Sequence, residues 1–143
     1  MTHLTLDHAR TILDAALAKA VERGLKPLAV AVLDARGSLK AFAAQDGTSL
    51  KRGEVARGKA DGALALGMGS RAIAKAAAER PSFVSAVTHA VGGSLVPAPG
   101  GVLVMQDGEV VGAVGVSGDL SDNDEICAVA GIEAAGLKAD PGA

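Results

Sequence analysis

Few residues in this chain could do chemistry. Three histidines, His3, His8 and His89, carry the residue type most often used to move protons or ligate metals. His3 sits near the N-terminus, and His8 falls off the apolar stripe of the first helical segment. His89 is the candidate: in "AVTHAVGG" it stands beside small residues and a glycine pair, close in sequence to "PAPGG". A lone histidine is more often structural than catalytic. Asp46, Arg52 and Lys59 are the other polar candidates. Arg52 and Lys59 are two helical turns apart and can share a face. Lys59 lies among Gly58, Ala60, Gly62 and Ala63, where a long side chain either bends over a shallow pocket or lies on a solvated face.

The glycines offer a different chemistry. In "VPAPGGVLVMQDGEVVGAVGVSG", Gly100 and Gly101 lead into a strand, so they form neither a phosphate loop nor a dinucleotide turn, both of which open a helix. Two successive glycines can instead aim backbone N–H groups at a carboxylate. The competing reading is a flexible entry to the strand. "SGDLSDNDE" resembles a calcium loop but fails its rule. Asp124 stands where the turn glycine belongs and Ala130 where the bidentate glutamate belongs. Stabilisation of a helix N-terminus explains these acids better. The histidines lack metal-ligand spacing, so no metal site is expected. Cys127, the single cysteine, is read as a small hydrophobe inside a helix.

Composition narrows the partners. The chain has 143 residues, 49% hydrophobic and 21% charged, with a net charge of -2. That charge gives no footprint for nucleic acid. No apolar run approaches a membrane span, and the N-terminus has no signal-peptide core, so a cytoplasmic protein without membrane contact is expected. Aromatics make up 1% of the chain, Phe42 and Phe83, so alanine and valine must fill the core and the elements must approach closely.

The elements that must position these groups follow from periodicity. "LTLDHARTILDAALAKAVERG" predicts an amphipathic helix capped by Thr5 and stopped at Gly24. Strands over Leu28–Leu33 and Ser38–Ala43 form a hairpin around "DARG". Helices are expected from Leu50 to Leu66 and from Ser70 to Glu79, capped by Ser49 and Ser70, with Pro81 ending the second. A short helix follows in "PSFVSAVTHAV", then a brief strand at Ser94–Val96. A second hairpin, Val102–Met105 and Val110–Val116, turns at Asp107-Gly108. A last helix runs from about Asp122 to Ala135 with Ser121 as cap. Hairpins imply an antiparallel sheet with helices packed on it, a single α+β domain over residues 1–143.

The run "PAPGGVLV…GEVVGAVGVSGDLSDNDEICAVAGIEA" resembles the C-terminal signature of the GlcG/HbpS-like haem-binding family, which includes the C-terminal domain of PduO-type proteins. "AVLDARGSLKAFAAQDGTSL" and "ARGKADGALALG" are similar to that family's first hairpin and lysine-bearing helix. The resemblance implies a profilin-like fold, a five-stranded antiparallel sheet flanked by helices and assembled as a homo-oligomer, in agreement with the order αββααβββα read from the elements. Two departures stand out. Gly62 replaces the threonine that usually follows three residues after the helix lysine, and the aromatics that commonly sandwich a porphyrin are missing.

Two functions are consistent with these residues. In the first, the chain binds a small ligand, haem or a related tetrapyrrole, with His89 as axial ligand and Arg52 or Lys59 pairing with propionates. In the second, it is a cofactor-independent isomerase, hydratase or lyase acting on a small organic acid. The acid would rest on Gly100, Gly101 and Lys59, and His89 or Asp46 would move a proton. Both need His89, Lys59 and the Gly100-Gly101 amides around one hollow.

Overall fold

The computed structural model describes residues 2–142. The first helix, α1 (Leu6–Glu22), is closed at its N-terminus by a reciprocal cap. The His8 N–H donates to Thr5 Oγ1 (3.0 Å) and the Thr5 N–H to His8 Nδ1 (3.3 Å). His8 is thereby half-buried in the cap. The hairpin strands follow, β1 (Ala29–Asp34) and β2 (Leu39–Ala44). Three helices come next: α2 (Arg52–Leu66), α3 (Ser70–Glu79) and α4 (Pro81–Ala90), the last begun by the proline that stops α3. The second hairpin is β3 (Gly101–Gln106) and β4 (Glu109–Ser117). Its turn puts Asp107 at φ 52° and Gly108 at φ 79°, the left-handed pair of a type I′ turn. Helix α5 (Ser121–Ala134) and a short β5 (Lys138–Asp140) complete the chain.

Among the described residues the fold is α+β: five helices and a five-stranded antiparallel sheet in the order β2-β1-β4-β3-β5. The strand expected at residues 94–96 is absent. That stretch is an irregular link; its Val96 N–H donates to the Gly58 carbonyl of α2 (3.1 Å), so it bonds to a helix and not to a sheet neighbour. The fifth strand is β5, too short to announce itself by alternation. Three expected caps also differ. Lys51, not Ser49, is the N-cap of α2 and makes no side-chain cap, Ser70 is the first residue of α3 after Gly69, and Ser121 is the first residue of α5 after Leu120.

The sheet has two unlike faces. Val30, Val32, Val102, Val104, Val114 and Val116 point toward α1 and α5 and form the main core with Ile12, Ala16, Cys127 and Ile132. The other face carries Ala29, Ala31, Leu33, Leu103 and Ala113 and is covered by Ala56, Ala60 and Ala63 of α2. Gly101 and Gly115 lie opposite each other across β3 and β4, under α2. A Cβ on Gly115 would collide with the Ala56 carbonyl, and one on Gly101 with the Lys59 carbonyl. The missing side chains let helix backbone rest on strand backbone, which is how a core almost free of aromatics reaches native density.

Candidate functional site

Helix α2 carries three cations, Arg52, Arg57 and Lys59, of which Lys59 alone is buried. Lys59 faces the sheet and is buried, its side chain 3% exposed. Its ammonium donates to the Val116 carbonyl (2.9 Å) and to Asp124 Oδ2 (3.1 Å). Asp124 belongs to the first turn of α5 but points inward, and its Oδ1 accepts the Asp119 N–H (3.0 Å). Burial pushes the Lys59 ammonium below and the Asp124 carboxyl above their ordinary values, and each partner's charge opposes the other's shift. The same burial, with the nearby Asp124 charge, raises the Cys127 thiol to about 11.

The glycine pair closes this centre. Gly100, at φ 122°, holds a conformation that suits glycine, and its carbonyl accepts the Val116 N–H (3.0 Å). A Cβ there would lie 3.0 Å from Lys59 Nζ. The Gly101 N–H donates to Ser70 Oγ (2.6 Å), so that hydroxyl ties α3 to β3. Arg52, half-buried at the start of α2, reaches Ser117 Oγ with Nη1 (3.2 Å). The structure therefore brings Arg52, Lys59, Gly100 and Gly101 together at one end of β3 and β4. They are joined through protein partners, and among the described residues every buried side-chain nitrogen and oxygen has a hydrogen-bond partner.

His89 and Asp46 lie elsewhere. His89 is exposed in the last turn of α4, a helix that packs chiefly on α3, and stands two residues before Val91. Asp46 is exposed in the turn after β2.

The open space of this face lies on the other side of α2. A cavity of about 440 Å³ is lined by Ala35, Arg36, Leu64 and Val91, among others, and a second of about 380 Å³ by Ala31, Leu39, Phe42, Gly53 and Arg57. Both are bounded by Asp61 and Ser94. Strand β2 is the sheet edge, and α2 hardly covers it, so Leu39 and Phe42 stay about half-exposed. Phe42 lies over Gly53, where a Cβ would be 2.9 Å from the ring. Apolar walls with a few polar groups at the rim are the usual make-up of a small-molecule site.

Sequence reasoning missed Asp124 as the lysine's partner, because its helix-terminal position already explained a carboxylate. It also missed Arg57, Asp61 and Ser94. The one available signal was a lysine amid alanines and glycines, which calls for a buried counter-charge without saying where it lies.

Comparison with known proteins places this architecture. A crystal structure of a PduOC–haem complex superposes with a TM-score of 0.85 at 23% identity, over 95% of this chain and 97% of that one. The Klebsiella pneumoniae protein ORFY gives 0.86 at 23% identity, over 95% and 93%. A double mutant of Streptomyces reticuli HbpS gives 0.80 at 30% identity, over 93% and 87%. No curated protein sequence matches the chain. The family model described as haem degrading protein HbpS-like matches residues 4–133, and on this match the chain belongs to the HbpS-like family.

Proposed function

We propose that the protein binds haem or a related tetrapyrrole in the groove between β2, α2 and the link that follows α4, without itself requiring a reaction there. The observation that carries this reading is the apolar cleft lined by Ala31, Leu39 and Phe42, with Arg57 beside the carboxylates of Glu54 and Asp61 at its rim and Arg36 at the adjoining cavity. An amphiphile with a planar apolar body and two carboxylates needs that combination, an apolar wall and cations at the edge. The match to the HbpS-like family and the likeness to a haem-bound PduOC support it. His89, exposed in the last turn of α4 and outside the lining of both cavities, would be the residue to hold the iron. Lys59, committed to Asp124 and Val116, positions the elements. The exposed apolar residues Val21, Leu50 and Leu120, outside the groove, support a homo-oligomer.

Titrating haemin into the purified protein tests this. A saturable Soret shift is expected, weakened about tenfold by Phe42→Ser with Leu39→Asp, two exposed positions whose change leaves the core intact. The His89→Ala variant should alter the Soret maximum of the complex. A double variant that binds like wild type removes the groove, and an unchanged spectrum removes His89.

A second reading, binding or conversion of a small organic acid, is favoured by one observation. A cavity of about 490 Å³ is lined by Arg71, Lys75 and Pro99, next to Gly100. Arg71 is held by Glu125 (2.9 Å) and Asp122, which raise its affinity for its proton further. A carboxylate panel in a thermal-shift assay separates the readings: stabilisation lost in Lys75→Ala supports this one.

A further inference from the structure

One guanidinium and one carboxylate join three separate segments around the groove. Arg57 Nη2 donates to the Gly37 carbonyl in the turn between β1 and β2 (2.9 Å). Its Nε lies 3.4 Å from Asp61 Oδ2, one turn along α2. The same carboxylate oxygen accepts Ser94 Oγ from the link after α4 (2.6 Å). Asp61 and Ser94 form a wall shared by the two cavities, so this cluster is what divides the groove.

The two bonds of Arg57 differ in strength. Its contact with Asp61 is long and its side chain is 41% exposed, and a pair of that kind is weak. The bond to Gly37 is short and anchors the guanidinium to the hairpin. A ligand carboxylate can take the place of Asp61 on the free edge of Arg57 without moving the arginine.

We propose that Arg57 is the specificity determinant of the groove, selecting ligands that carry a carboxylate, and that Asp61 is the internal anion such a ligand displaces. The proposal rests on the tetrapyrrole reading above. Displacement leaves Asp61 bonded to Ser94 and breaks only the contact between Asp61 and Arg57 as the carboxylate arrives. An uncharged ligand of the same shape has nothing with which to replace Asp61.

The test compares haemin with its dimethyl ester, in which both carboxylates are blocked, by absorbance titration. Wild type should prefer haemin by about fivefold, the scale of a partly exposed ion pair. Asp61→Asn keeps an acceptor for Ser94 and removes the competing charge. It should tighten haemin binding about threefold and leave the ester unchanged. Arg57→Gln should abolish the preference, and Arg57→Lys should keep part of it. Equal binding of the two ligands by wild type, or unchanged haemin affinity in Asp61→Asn, overturns the role of Arg57 and leaves the groove standing. Failure of both ligands to bind overturns the groove and this inference together.

Discussion

Lys59 and Arg57 stand two residues apart on one helix, and residues at that spacing do not share a face. Lys59 enters a closed centre, where α2 lies on the sheet over Gly101 and Gly115 and its charge meets Asp124. Arg57 stays at the rim of an open groove with one firm bond and one loose one. Burial decides the difference. A charge removed from water must be fully paired, and it then holds elements together, whereas a charge left at a rim keeps bonding capacity for something else.

The comparison breaks most readily at Lys59. Lys59→Ala leaves Asp124 buried without its counter-charge and should cost about 3–5 kcal/mol in denaturant unfolding. Pairing Lys59→Met with Asp124→Leu should recover most of that loss. A Lys59→Ala protein with wild-type stability would mean that the ion pair does not hold α2, β4 and α5 together.

Gly115→Ala probes the same closure through shape alone. The new methyl meets the Ala56 carbonyl, so α2 must lift from the sheet, at about 1–3 kcal/mol. A neutral result would show that helix and strand have slack. Arg57→Ala, at the rim, should change stability by about 1 kcal/mol or less, because a half-exposed pair contributes little. A loss as large as that of Lys59→Ala would erase the contrast between the two cations.

The smallest effect is a pH dependence beside the closed centre. The Asn123 amide, with the Lys26 and Leu120 N–H groups, holds Asp119 at about 2, below its ordinary 3.8. A folded value below the unfolded one means that the native state binds this proton less readily. Its contribution is therefore complete above about pH 4 and fades as pH falls toward 2. Asp119→Asn should flatten the melting temperature over that window, and an unchanged slope would exclude the carboxylate as its source.

Much of the fold was legible. The Thr5 cap, both hairpins with the Asp107-Gly108 turn, and the Pro81 break each depend on neighbours within a few residues, where local sterics and hydrogen bonding decide. The link at residues 94–96 was misread as a strand because its partner, the Gly58 carbonyl, is a helix group far along the chain. Ser70 was misread as a cap for the same kind of reason, since its hydroxyl serves the Gly101 N–H.

The candidate site was legible only in its parts. Sequence by itself determined which groups are scarce: one lysine amid small residues, two adjacent glycines before a strand, few aromatics. It determined the alternation that makes one sheet face valine and the other alanine and glycine. Tertiary structure alone decided that Lys59 meets Asp124, 65 positions away, and that Arg57, Asp61 and Ser94 converge at a groove. The reason is physical. Spacing along a chain sets the direction of a side chain within its own element, while the partner it meets depends on how separate elements pack, and that is fixed by the core as a whole.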